Sequence, residues 1–82
     1  MELCKAGLVV DTTWLSDLIA LARTGNFSRA AELRNVTQPA FSRRIRMLED
    51  WVGQPLVDRR THPVVLTGAG QALLPHAEQI VS

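Results

Sequence analysis

The chain has 82 residues, 46% of them hydrophobic, and a formal net charge of +1. This is the size of one small domain with enough apolar residues to fold, which excludes a disordered tract. Cys4 is the only cysteine and no apolar run approaches the length of a bilayer span, so neither a disulfide framework nor a membrane helix holds the fold together.

Residues 1–11 carry no strong periodicity and read as an N-terminal extension. With no second cysteine to resolve it, Cys4 is a spectator sooner than a redox switch. A lone thiol and the lack of a charged-then-apolar leader fit a reducing, cytoplasmic location. Asp11, Thr12 and Thr13 all suit a helix N-cap, and a first helix is predicted from about Trp14 to Thr24. Its Leu15, Leu18, Ile19 and Ala22 recur at spacings of three and four, the signature of one buried stripe. Gly25 is the expected stop.

Ser28 is the predicted cap of a second helix reaching about Arg34, in which Ala30 and Ala31 allow a close, sharp helix crossing. Asn35-Val36 make a turn. Thr37 caps a third helix from Gln38 to about Val52, with Pro39 in the first turn, where a missing N–H costs nothing. At 100° per residue, Phe41, Ile45, Leu48 and Val52 share one apolar arc; Pro39, Ser42, Arg43, Arg46 and Asp50 lie opposite. Gln38 borders the polar arc, while Arg44 lies on the other flank with Trp51. Met47 and Trp51 read as packing residues, and Trp14 as a core residue with Phe41, Ile45 and Leu48. Two short helices joined by a turn, the second with a core face and a donor-rich face, can lay that helix in the DNA major groove.

After Gly53 the period changes. Leu56 to Arg59 and Val64 to Leu66 read as two short strands around a turn at Arg60-Thr61-His62-Pro63. Strands this short must pack on the helices as a β-wing. Thr67 caps a last helix to the C-terminus, with Leu73, Leu74, Ala77, Ile80 and Val81 as its apolar positions. Gly68, Gly70 and Pro75 weaken it, and Pro75 is expected to kink it. An apolar-striped but weak terminal helix calls for a partner. The division is residues 1–11 extension, 12–67 winged helix-turn-helix, and 68–82 linker or dimerisation helix.

The charge is unevenly placed. Five arginines between Arg29 and Arg46 face the single acid Glu32, a local charge of +4, and Arg59 with Arg60 add a second basic site. Such clustering is what a phosphate-binding face requires, although a solvated, salt-bridged surface has the same composition. No nucleophile–base pair, phosphate-binding glycine loop or paired catalytic carboxylate stands in a recognisable setting, so no enzymatic role is assigned. His62 and His76 are too far apart and unaccompanied to suggest a metal, and no cofactor is implied.

FSRAA, TQPAFSRRI, LE, G-x-PL-x-x-R and LT-x-x-G, in that order, resemble the N-terminal DNA-binding domain of LysR-type transcriptional regulators across about Leu15 to Val81. Trp14-Leu15 and RNVTQPAFSRRIR further resemble the branch with hypochlorite-responsive members. The resemblance implies a mainly α, winged helix-turn-helix fold: three helices, a two-stranded β-wing and a C-terminal linker helix. It also implies double-stranded DNA as partner and a homodimer formed through Leu73, Leu74, Ala77, Ile80 and Val81, with tetramers in full-length proteins. A small-molecule effector would act only through a sensor domain absent from this chain, which looks like a domain fragment or truncated product. The chain departs from the family pattern at His62, where an arginine commonly precedes the wing proline, at Val57, usually aromatic or leucine, and at Gly68, usually acidic.

On that footing Gln38, Ser42, Arg43 and Arg46 are the candidates for base edges and nearby phosphates, Gln suiting adenine and Arg guanine. Pro39 touches a thymine methyl or serves only the helix start. Arg44 holds a phosphate or an internal acid. Ser28 and Thr37 cap helices whose N-termini can receive phosphates. Arg59 and His62 meet the backbone or minor groove, with a salt bridge from Arg59 to Asp58 or Glu49 as the competing account. The alternative for the whole chain is a protein-association module or a truncated dimerisation decoy.

Overall fold

The computed structural model describes residues 12–81, so the expectations for residues 1–11, including Cys4 and the Asp11 cap, fall outside the described residues. The elements are α1 (Thr12–Thr24), α2 (Phe27–Leu33), α3 (Gln38–Val52), β1 (Val57–Asp58), β2 (Val65–Leu66) and α4 (Gly68–Val81). This is the mainly helical, winged arrangement the residue pattern implies. β1 and β2 pair antiparallel, Val57 opposite Leu66 and Asp58 opposite Val65.

The apolar stripes meet in one core. Leu15, Leu18 and Leu21 of α1 pack with Ala30 and Ala31 of α2, Phe41, Ile45 and Leu48 of α3, Leu56 and Ala77. Phe41, Ile45 and Leu48 are fully buried, and truncating any one of them would cost about 2–5 kcal/mol. Phe27 meets Phe41 edge-on with ring centroids 5.9 Å apart, which locks the start of α2 onto α3. The buried alanines are the close-crossing residues expected of α2.

The connection between α2 and α3 is tight. Asn35 adopts a left-handed conformation (φ 60°), and the Val36 N–H reaches back to the Ala31 carbonyl at 3.0 Å. Thr37 caps α3 as expected, its hydroxyl accepting the Ala40 N–H at 3.3 Å, and Gly53 ends it. Thr67 likewise starts α4: its hydroxyl accepts the Gly70 N–H at 3.2 Å and donates to the Pro55 carbonyl at 2.7 Å. α4 then runs through Pro75 as one helix and packs on α1.

Several local expectations are corrected. The cap of α2 is Asn26, not Ser28: Asn26 Oδ1 accepts the Arg29 N–H at 3.0 Å, so Ser28 lies one residue inside the helix. Both residue types cap well; docking Phe27 on Phe41 decides between them. α1 opens at Thr12, two residues before Trp14. Met47 and Trp51, expected to pack, are 44% and 45% exposed. Trp14 packs on the rim of the core rather than within it.

Two glycines let the wing close on the helices. Gly25 has φ 65°, and its carbonyl accepts the Val64 N–H at 2.8 Å, which ties the end of α1 to the wing. Any side chain there would be strained and would strike Pro63. At Gly70 a Cβ would collide with the Leu56 carbonyl, so α4 can lie this close to β1 only without a side chain.

Candidate nucleic-acid interface

α3 is amphipathic in the way a groove-reading helix needs. Phe41, Ile45 and Leu48 point into the core, which turns Gln38, Pro39, Arg43 and Arg46 out to solvent and leaves Ser42 half-buried. Between α3 and the wing lies an open cleft of about 420 Å³ lined by Asn26, Ser28, Gln38, Ser42, Arg46, Arg59 and His62, among others. Residues from the start of α2, from α3 and from the wing, up to 38 positions apart in the chain (Asn26 to Val64), therefore share one concave surface. Within it Ser28 Oγ donates to Gln38 Oε1 at 2.8 Å. His62 precedes a cis proline at the wing tip.

The arginines divide into two groups. Arg34 Nε donates to Asp17 Oδ1 at 2.7 Å and Arg44 Nη1 approaches Asp17 Oδ2 at 3.4 Å. Asp17 has no exposed surface, and a buried carboxylate is tolerable only when its charge is met. Of the two roles open to Arg44, the structure places it on an internal acid. Arg59 Nη1 pairs with Glu49 Oε1 at 3.3 Å and its guanidinium lies 5.4 Å from the Phe27 ring centroid. Of its two expected acids, Arg59 meets Glu49, while Asp58 is taken by Arg60. By contrast, no hydrogen bond or ion pair among the described residues engages the side chain of Arg43 or Arg46. Among the described residues the same holds for Arg23 on α1 and Arg29 on α2, but only Arg43 and Arg46 stand on the outward face of α3.

The Asp58–Arg60 pair lies on the wing surface. The Arg60 side chain, and then its backbone N–H, bond the carboxylate and hold its pKa at about 2, while the pair raises that of the guanidinium.

The stripe of α4 is split. Ala77 is fully buried in the chain's own core, and Leu73 and Leu74 are half-buried against it. Ile80 and Val81 remain 55% and 40% exposed. Val81 lines a groove with Ile19, Arg23 and the exposed Leu33.

Two acids escaped the sequence reading as organising groups. Asp17 stands among Leu15, Leu18 and Ile19, and a charge inside an apolar stripe is the signal that could have marked it. Glu49 does more than pair with Arg59: its Oε2 also accepts the backbone N–H groups of Leu56 at 2.8 Å and Val57 at 3.2 Å, fastening α3 to the wing. No sequence spacing announces that contact.

A family model for the bacterial regulatory helix-turn-helix protein, lysR family, matches residues 12–71. The chain belongs to this family. It carries the LysR-family helix-turn-helix DNA-binding domain, and its curated relatives are transcriptional regulators. It is 48% identical to the HTH-type transcriptional regulator YjiE of Escherichia coli K12 over 62 residues, 76% of this chain and 20% of YjiE. Among solved structures, Vibrio fischeri DarR in complex with DNA superposes with TM-score 0.88 at 55% identity, covering 90% of this chain and 25% of DarR. HypT of Salmonella typhimurium, a hypochlorite-specific LysR-type regulator, gives TM-score 0.80 at 42% identity, over 89% of this chain and 25% of HypT. The chain thus spans between a fifth and about half the length of the curated relatives first matched. Among the described residues, no helix is long and apolar enough to cross a membrane.

Proposed function

We propose that this LysR-family domain binds double-stranded DNA sequence-specifically as the DNA-recognition part of a bacterial transcriptional regulator. The α3 helix enters the major groove, where Gln38, Ser42, Arg43 and Arg46 meet base edges and neighbouring phosphates. Pro39 lies beside them, Arg59 and His62 of the wing follow the backbone or minor groove, and the capped helix starts near Ser28 and Thr37 face phosphates. Arg44 serves the fold through Asp17. The observation that carries this reading is the outward face of α3: four arginines elsewhere are spent on acids, while Arg43 and Arg46 stand exposed beside Gln38 and Ser42 with no acid of the domain engaging them. That the similar DarR has been solved in complex with DNA supports a DNA-binding role for this domain.

The domain acts as a dimer on an inverted repeat, through α4. Exposed Ile80 and Val81, with Leu33 beside Val81, supply an apolar patch for it, and Leu73, Leu74 and Ala77 hold the helix on its own domain. Effector sensing belongs to a further domain of a longer regulator, and the working location is the cytoplasm, on the nucleoid.

Arg43→Ala separates this reading from a protein-association module. DNA affinity should fall by about 1–3 kcal/mol if Arg43 reads a base, while sedimentation should report an unchanged oligomeric state. Unchanged DNA affinity would sink the proposed role of α3.

A further inference from the structure

We infer that Ser28 is a positioning residue for base recognition: its hydroxyl holds the Gln38 carboxamide so that the amide nitrogen, a hydrogen-bond donor, is presented to an acceptor such as purine N7. This rests on the proposed reading of α3 as the groove-entering helix.

A free glutamine is ambiguous as a base reader. Its carboxamide carries an acceptor oxygen and a two-donor nitrogen, and a half-turn about the last torsion exchanges them. Placed at the first position of α3 with an exposed side chain, Gln38 would sample both orientations and a range of rotamers. The cleft removes that freedom. Ser28, on α2 and ten residues earlier, donates its hydroxyl proton to Gln38 Oε1 at 2.8 Å. The oxygen is thereby drawn towards α2, and Nε2 with its two hydrogens is left for whatever enters beside Ser42 and Arg46, which line the same cleft.

The bond's importance lies in orientation rather than stability. Both residues are exposed, and a hydrogen bond between solvated neutral groups contributes little to folding because water replaces it readily. What it changes is the pattern offered to the groove. Purines present N7 there, guanine adds O6 and thymine offers O4, whereas cytosine presents only its N4 donor. A donor held outward matches the first set and repels the last. The threonine side chain keeps a hydroxyl at the same place, so Ser28→Thr should preserve the effect and Ser28→Ala should lose it.

The test is selection of bound duplexes from a random pool with the wild-type chain and with Gln38→Ala, Ser28→Ala and Ser28→Thr, all checked for folding by circular dichroism. Gln38→Ala should flatten one position of the selected site and thereby mark the base that Gln38 reads. Ser28→Ala should lower the preference at that same position by about fivefold or more, with other positions unchanged, and Ser28→Thr should keep it. Replacing the marked purine by its 7-deaza analogue should weaken wild-type binding by a similar factor and leave Gln38→Ala unaffected. If Gln38→Ala flattens a position that Ser28→Ala does not, the positioning role is wrong while the reading of α3 stands. A 7-deaza base that binds the wild type normally overturns the donor orientation. If Gln38→Ala alters no position, the reading of Gln38 itself fails, and the inference with it.

Discussion

Replacing Asp17 by asparagine should destabilise the domain through the three helices it joins. The carboxylate is fully buried on α1 and accepts from Arg34, just past α2, at 2.7 Å and from Arg44 on α3 at 3.4 Å. Asparagine keeps the shape and can keep one neutral acceptor for Arg34, but charge-assisted bonds are roughly twice as strong as neutral ones, so about 1 kcal/mol is lost there. On the other side an amide N–H₂ would face the Arg44 guanidinium, donor against donor, which costs roughly a further 1 kcal/mol. Both arginine side chains keep 31% exposure and recover some water, which holds the total below the roughly 3–5 kcal/mol of a fully buried broken pair. The expected loss is therefore about 2 kcal/mol, or a fall in Tm of roughly 8–16 °C for a domain of this size. Urea melts followed by circular dichroism measure it directly, with the slope unchanged if only stability is altered. A midpoint equal to that of the wild type would show that Asp17 does not clamp the helices and would refute the reasoning.

Gly70→Ala places a Cβ against the Leu56 carbonyl, so the domain should lose about 1–3 kcal/mol despite the better helix propensity of alanine, read by the same melts. Glu49→Gln removes the charge facing Arg59 and weakens the hold on the Leu56 and Val57 N–H groups; heteronuclear NMR should show its largest shifts in the wing, and DNA affinity should fall without loss of the helical core. Because Arg60 lowers the Asp58 pKa from 3.8 to about 2, the pair stabilises the wing above the ordinary carboxylate value, and that contribution fades as pH falls towards 2. A carboxyl carbon titration by NMR should place the Asp58 midpoint well below those of solvated aspartates, and Arg60→Ala should raise it only part of the way to the ordinary range, because the backbone N–H of residue 60 still bonds the carboxylate.

The sequence made the helices legible because each buries one stripe. Phe41, Ile45, Leu48 and Val52 specify both the length of α3 and which face turns outward, and Thr37 and Gly53 mark its ends. Cap choice was less legible: Asn26 and Ser28 are equally good local candidates, and only the packing of Phe27 on Phe41 selects the first. Met47 and Trp51 lie on the flank of the helical wheel, where exposure depends on neighbours that the wheel does not contain. The site residues were legible as a cationic arc, but the sorting of arginines was not. Arg44 and Arg46 look alike in sequence. Their difference comes from Asp17, 27 residues before Arg44, and from the wing that closes the cleft beside Arg46.

The most direct test is fluorescence anisotropy of the purified chain on a duplex from its own upstream region and on a scrambled duplex, across a series of salt concentrations. Phosphate contacts should make both affinities fall with salt. Tighter binding to the native duplex that persists at physiological salt is the expected result, since base contacts from α3 add to the phosphate contacts. Equal, weak and salt-sensitive binding to both duplexes would contradict sequence-specific recognition and leave only a basic surface.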